Sequence, residues 1–317
     1  MKHSVSGRTA WLISVGAAAL ACAALRRWQL ATAFEEETGL ATPGAQASVI
    51  LVCVLVMAGA WLVLLGQDRS PHGGPGRRWD TVFLGTGDPV FPGLELAAAL
   101  LALLAVPVLF VVGVGQFQIY QAARDAGIQP PSNNGMLTLA TAATALLAAV
   151  GLFQMARDGL RPGRRGRGGF AAALPGVMGC VWLMESFRAH AANPVRWDYA
   201  PQLLAVCLGM AFYMDFAGLS AGLPRPRRLL WLAGMAAILS AVALASTAAE
   251  LSALSRMGMS LWAAQTGDAL LLLSQILAAA GALWRLPPYL EHPARPSPDK
   301  SGGGPWEASI EEETTDE

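Results

Sequence analysis

Acidic and amide side chains within long apolar stretches are the residues of this chain that could do chemistry. Asp215, Asp268 and Gln275 lie in or beside such stretches, and Glu185 lies near the end of another. An ionisable group in a bilayer is costly unless it is paired or faces water, so these residues are candidates for binding an ion or a polar ligand. The sequence contains no HExxH, GxxxxGK or CxxC pattern. We therefore expect no catalytic residues, no bound metal and no cofactor.

Asp215 follows a continuous apolar run and has small residues on its helical face. Gly218 and Gly222 have the GxxxG spacing that permits close contact between helices, so we expect Asp215 to face other helices rather than lipid. There it could line a ligand path. The alternative is a structural ion pair with one of the arginines that follow, Arg225, Arg227 and Arg228.

Asp268 and Gln275 are seven residues apart and therefore lie on one face of a helix. Ala264 and Ala279 continue this face, which is polar and lined with small residues. Such a face could line the path of a small ligand. It could equally join neighbouring helices through hydrogen bonds between side chains.

Two further groups of charged residues lie near predicted membrane boundaries. Glu185 has Arg188 three residues later, and we predict an interfacial ion pair between them. The segment RDGLRPGRRGRGG could hold anionic lipid headgroups through its arginines, or it could serve only to fix membrane orientation. The headgroup candidates are Arg161, Arg164, Arg165 and Arg167.

The elements that must position these residues are membrane-spanning helices. Of the 317 residues, 54% are hydrophobic and 14% are charged, against about a quarter charged in an ordinary soluble domain. This composition excludes a disordered chain, a disulfide-stapled secreted module and a nucleic-acid binder with a basic surface. Eight long apolar runs predict an all-α bundle of eight spans. The runs are Trp11–Leu25, Val49–Leu65, Leu94–Val114, Met136–Phe153, Phe170–Met184, Leu203–Leu219, Leu229–Ala249 and Ala269–Trp284.

Basic residues indicate how the spans are oriented. With eight spans, roughly three quarters of the 22 Lys and Arg residues lie on the side of the N-terminus, which places both termini in the cytoplasm. The first span has an alternative interpretation. Its charged start at Lys2 and Arg8, followed by a short apolar run with Ala21 and Ala23, is also typical of a secretory signal peptide.

Residues 1–290 are predicted to form the membrane domain, and residues 291–317 a disordered acidic cytoplasmic tail that ends in EASIEEETTDE. The tail or the loops could bind a protein partner. The four cysteines lie in the first, second, fifth and sixth spans, where a small buried hydrophobe is their expected role. Their placement also fits a duplication of four plus four spans.

A polar segment, RRWQLATAFEEETGLATPG, follows the first span at Arg26–Gly44. Its residues around Glu37, Thr38 and Gly39 are typical of a small hairpin turn on the outer face. The part RRWQLATAFEEETGL resembles the same region in uncharacterised multi-pass membrane proteins of clostridial Firmicutes. This resemblance implies a bacterial plasma membrane and carries no known activity.

Two functions fit these patterns. The first is a transporter-like or small-ligand-binding permease subunit, in which the polar faces meet a small molecule or an ion. The second is a non-enzymatic membrane scaffold or assembly factor, in which the same groups join helices and the loops bind partners. A membrane enzyme ranks third, because the clustered acids, bases or metal ligands that it would need are not evident in the sequence.

Overall fold

Helices make up almost all of the described part of this computed structural model. The structure describes residues 2–35, 40, 42–67, 82–83, 88–128, 134–160, 168–191, 199–221, 223, 225–256 and 264–291. Within these ranges eight helices are long and apolar enough to cross a membrane, which confirms the predicted all-α architecture of eight spans.

Each helix contains one of the eight predicted apolar runs. All eight helices extend beyond their runs. Helical hydrogen bonds satisfy the backbone within the segment, so the helix does not have to end where the apolar run ends. In chain order the helices are α1 (Lys2–Thr32), α2 (Gln46–Gln67), α3 (Val90–Asp125), α4 (Gly135–Leu160), α5 (Gly168–Ala191), α6 (Ala200–Ser220), α7 (Pro226–Arg256) and α8 (Ala264–Glu291).

Helices α3 to α8 form a closed ring. Each packs against the next in sequence, and α8 returns to pack against α3. Small residues permit these close approaches. An added Cβ at Gly135 of α4 would lie 2.7 Å from the Gly113 carbonyl oxygen of α3, and one at Gly151 would overlap the Ala171 carbonyl oxygen of α5. The ring therefore depends on glycine at these crossings.

Helices α1 and α2 lie outside the ring. Helix α1 packs against α7 and α8, and α2 packs against α1 and α7. Helices α5 and α6, which a duplication would pair with α1 and α2, are members of the ring instead. The two halves of the chain therefore occupy different places, and the alternative of four plus four equivalent spans is wrong.

Helix α1 continues through Arg26 to Thr32, past the end of its apolar run. Arg26 is buried at 1% exposure, where its Nε donates to Ser246 Oγ of α7 at 2.8 Å. Beyond the helix, Glu35 N donates to the Leu40 carbonyl at 3.0 Å, as the two sides of a hairpin would pair. The predicted turn at residues 37–39 lies outside the described residues.

The ring has two different ends. We call the end where α3, α5 and α7 finish the cavity end, and the end that holds the start of α1 and the finish of α8 the termini end. At the termini end an aromatic cluster crosses the ring. Phe83 contacts Phe91 of α3 at 5.2 Å and Phe216 of α6 at 4.3 Å between ring centroids. Because α3 and α6 are opposite members of the ring, this cluster spans its interior.

Candidate functional site

A polar cavity of about 470 Å³ lies inside the ring at the cavity end. All six ring helices contribute to its wall within about three turns of their ends. Carboxylate, amide and hydroxyl groups predominate among its lining residues. One polar residue from each helix, in the order α3 to α8, illustrates this: Gln116, Thr138, Glu185, Gln202, Glu250 and Asp268.

Asp268 lies in the second turn of α8, and both of its oxygens accept hydrogen bonds. Trp182 Nε1 of α5 donates to Oδ1 at 2.8 Å, and Gln202 Nε2 of α6 donates to Oδ2 at 3.1 Å. Two donors on two other helices therefore fix the carboxylate in the cavity wall. This arrangement orients Asp268 as a charged or polar ligand-binding group.

Glu185 of α5 also faces the cavity. Thr138 Oγ1 of α4 donates to Glu185 Oε1 at 2.5 Å. Asn134 is another residue of the cavity wall. Glu185 Oε2 and Asn134 Oδ1 are buried and accept no hydrogen bond from the described residues. The nearby hydroxyl of Thr141 donates to the Leu137 carbonyl instead. Two acceptors behind this wall are therefore buried without a donor from the described residues.

The predicted ion pair between Glu185 and Arg188 is not formed within the described part of the chain. Arg188 is exposed, while Glu185 turns toward Thr138 across the α4 and α5 interface. The prediction rested on their spacing, since residues three apart are neighbours on the surface of a helix. The cavity wall nevertheless offers Glu185 a hydroxyl donor inside the ring, which spacing alone does not show.

The charge-bearing side chains of the cavity wall are all acidic. Glu185, Glu250 and Asp268 supply three carboxyl groups, and none of the described residues that line the cavity is Lys or Arg. Arg26 lies behind the wall, where it contacts Ser246. Glu250 is exposed, so the cavity meets the protein surface at its α7 side. A wall with this charge attracts cations.

The described carboxylates are not arranged as a metal centre. No three His, Cys, Asp or Glu side chains of the described ranges converge closely enough to ligate a metal ion. The donors that face the cavity are instead spread over its wall as carboxylates, amides and hydroxyls. Such a distribution suits an organic or hydrated ligand that meets several helices.

Gln275 lies deeper in α8 and does not line the cavity. Its Nε2 donates to the Ala205 carbonyl of α6 at 2.9 Å and to Ser240 Oγ of α7 at 2.8 Å. Gly209 of α6 lies directly against it, since an added Cβ there would overlap the Gln275 amide. Gln275 therefore joins α6, α7 and α8. The face that it shares with Asp268 lines the cavity at Asp268 and packs against other helices at Gln275.

Asp215 is remote from the cavity. Its Oδ2 lies 2.8 Å from Arg228 Nε at the start of α7, so the alternative of an ion pair with a following arginine is the arrangement observed. At 1.5 Å per residue, Asp215 lies about 20 Å along α6 from Gln202 of the cavity wall. An added Cβ at Gly218 would reach Leu223 only at 4.0 Å and no other described residue more closely, so Gly218 makes no close contact with a described helix.

Three predicted features fall outside the described residues. They are Gly222, the four loop arginines Arg161, Arg164, Arg165 and Arg167, and the acidic tail after Glu291. The sequence GLSAG at residues 218–222 matches the GxSxG pattern of hydrolases. Its residues 218–220 are the last three of α6, however, whereas the nucleophile turn of hydrolases lies between a strand and a helix.

Several residues of the site were not identified from the sequence. Glu250 and Gln202 lie near helix ends, where polar side chains are common and carry no signal. Thr138 and Asn134 lie at or just before the start of α4, and they carry no signal for the same reason. Their convergence follows from the ring, which brings six helix ends together.

Comparisons with protein-family models, with curated protein sequences and with solved structures find no match to this chain. The chain is an all-helical protein whose eight apolar helices fit an integral membrane protein.

Proposed function

We propose that this protein binds a small hydrophilic cation in the cavity of the ring, as a transporter-like permease subunit would. The observation that carries the proposal is an acid-lined polar cavity enclosed by six apolar helices. Polar groups inside a membrane domain are costly unless they serve a ligand, water or one another. A volume of about 470 Å³ lies within the range of small-molecule sites.

The chemistry of the wall favours a cation over an anion or an apolar molecule. Three carboxyl groups face the cavity without a basic residue among the described lining. The carboxylate and amide oxygens of the lining residues are acceptors for the N–H donors of an ammonium group, which has donors and no acceptor. Amides and hydroxyls around them suit a ligand that retains part of its hydration.

The two ends of the ring support movement of the ligand rather than its permanent storage. The cavity meets the surface at one end, and the aromatic cluster closes the other. A transporter has such a site, open to one side only, in each of its end states. We propose further that the membrane is a bacterial plasma membrane, that both termini are cytoplasmic, and that the cavity end faces outward.

A membrane scaffold is the second candidate. It is favoured by the polar groups that only join helices, namely the Asp215 and Arg228 pair and the Gln275 bonds to α6 and α7. In a scaffold the cavity would hold only water, and the loops or the acidic tail would bind the partner.

Thermal unfolding of the full-length protein in lipid nanodiscs distinguishes these candidates. The probes are propylammonium, propanol and propionate, which share a size and differ in charge, at constant ionic strength. We expect propylammonium alone to raise the unfolding temperature, because a ligand that binds the folded state stabilises it by mass action. Asp268→Asn should reduce that rise, whereas Asp215→Asn should keep it. An equal effect of all three probes, or none, would contradict cation binding.

A further inference from the structure

Glu95 of α3 is the most isolated carboxyl group in the described part of the protein. It has 0% exposure, and both Oε1 and Oε2 lack a hydrogen-bond partner among the described residues. It lies in the second turn of α3, near the termini end. An added Cβ at Gly281 of α8 would lie 3.1 Å from Oε1, so this oxygen rests against the α8 backbone.

Glu95 faces the interior of the ring behind the aromatic cluster. Phe91 of that cluster lies one turn before it on α3, and Tyr213 of α6 is near enough across the ring that ionised forms of the two groups would repel each other. Tyr213 in turn contacts Phe212 at 4.9 Å between ring centroids. The aromatic side chains therefore separate Glu95 from the termini end.

The charged groups near this end are engaged elsewhere. Asp88 accepts from Trp284 Nε1 at 2.7 Å and lies 3.5 Å from Arg8 Nη1, while Arg285 Nε donates to the Val82 carbonyl. Among the side chains that the structure describes, the titratable and charged groups nearest this end are Asp88 before α3, Arg8 on α1, Arg157 and Asp158 on α4, Tyr213 and Asp215 on α6, Arg225, Arg227 and Arg228 around the start of α7, and Arg285 on α8. The described part of α2 carries no Asp, Glu, Lys, Arg or His, and neither does the half of α5 nearer this end.

These surroundings favour the neutral acid. An ionised carboxylate without hydrogen bonds or a counter-charge is far more costly to bury than a carboxylic acid. Ionisation of Glu95 therefore requires water or a cation beside it, and the closed aromatic cluster admits neither. Opening the cluster would supply the water, and closing it would require a proton.

We propose that Glu95 is a proton-binding site whose occupancy determines whether the termini end of the ring is closed. A proton passes from hydronium to the carboxylate, which leaves water and the neutral acid, and the aromatic cluster then closes over it. This inference goes beyond the proposed function, because it holds whether or not the cavity binds a cation. Only the coupling of proton movement to a ligand rests on that function.

Infrared spectroscopy of the nanodisc-embedded protein tests the protonation directly. At neutral pH the wild-type protein should show a carboxylic-acid C=O stretching component that Glu95→Gln removes, seen as a negative band in the difference spectrum. Asp215→Asn is the matched control, since Asp215 is an acid at the same end that is paired with Arg228, and it should leave that component intact. Glu95→Leu provides the same comparison if Glu95→Gln does not fold. A C=O stretching region that both Glu95 substitutions leave unchanged would overturn the proposal.

Cysteine labelling tests the control of opening. Ala98→Cys, in a chain without the four native cysteines, places a thiol one turn beyond Glu95. We expect its labelling rate with a water-soluble thiol reagent to rise with pH more steeply with Glu95 than with Glu95→Gln, which cannot ionise. The Glu95→Gln chain supplies the intrinsic pH dependence of the thiol. Equal pH profiles in the two chains would contradict proton-controlled opening, whatever the cation probes show.

Discussion

At the scale of single residues, the environment separates carboxyl groups that look alike in the sequence. Asp268 meets two donors in a polar cavity, Asp215 pairs with Arg228, and Glu95 has no partner among the described residues. Asp215 and Asp268 were recognised as acids within or beside apolar runs. Glu95 satisfies the same criterion but was overlooked as the second residue of its run. Which partner each acid meets depends on other helices and could not be predicted.

Asp88 offers a prediction about pH. Burial by itself would raise its pKa, but hydrogen bonds from Trp284 and from the Val90 N–H, with the positive charges of Arg8 and Arg285, lower the pKa below its ordinary value of 3.8. The ionised form therefore stabilises the fold above that pH, and the contribution is lost as the pH falls through the lowered pKa.

We expect Asp88→Asn to lower the unfolding temperature at pH 7. The difference from the wild-type protein should shrink as the pH falls below the ordinary pKa of 3.8. Thermal melts of both proteins over a pH series measure this. A difference that stays constant down to the lowest pH would show that charge on Asp88 is not what stabilises α1, α3 and α8.

Arg26 and Arg27 form a second comparison at this scale. Arg26 is buried and bonded to Ser246 and Gln29, whereas Arg27 is exposed. We expect Arg26→Ala to destabilise the protein by about 2 kcal/mol or more, because hydrogen bonds of a charged group and the packing of its stem are lost. Arg27→Ala should change stability by less than about 0.5 kcal/mol. Denaturant titration in detergent compares them, and equal effects would show that α1 does not dock through Arg26.

At the scale of helices, the apolar runs predicted every element because length and hydropathy are local properties. The ring was not predictable in the same way. Its closure depends on which glycine meets which neighbour, as Gly135 meets Gly113 and Gly267 meets Leu109. The sequence shows many small residues and does not show their partners. The same limit explains why Gly218, with its GxxxG spacing, was wrongly expected to be a close helix contact.

Two glycines of α6 test this explanation. Gly209→Ala should destabilise the protein by about 3 kcal/mol, because its Cβ would overlap the Gln275 amide and disturb the bonds to Ala205 and Ser240. Gly218→Ala should be neutral or stabilise by up to about 1 kcal/mol, because Leu223 lies 4.0 Å away and alanine favours the helix. Unfolding in detergent gives both values. The reverse order would contradict the packing of α6 against α8.

At the scale of the whole molecule, the ring combines a polar cavity at one end with an aromatic cluster at the other. The sequence predicted a membrane protein with polar groups in its interior, but not that six helix ends would surround one cavity. The orientation remains a prediction from the basic residues. Reporter fusions should place both termini in the cytoplasm. A C-terminus on the opposite side would reverse the side to which the cavity opens.

The proposed cation site requires that the cavity admit water and attract cations. Its test uses Ala264→Cys in the cavity wall and Ala279→Cys as a control on the same face of α8, where Ala279 has 0% exposure. Both are made without the native cysteines, so that each protein has a single thiol. Neither substitution removes a hydrogen bond of the site, because an alanine side chain forms none.

Thiosulfonate reagents that differ only in charge then report on the cavity. We expect the cationic reagent to modify the Ala264→Cys protein about tenfold faster than the anionic one, because three carboxyl groups raise the local concentration of cations. Asp268→Asn should reduce this preference, and the Ala279→Cys protein should stay unmodified. An Ala264→Cys protein that resists both reagents, or reacts faster with the anion, would contradict a water-filled cation site.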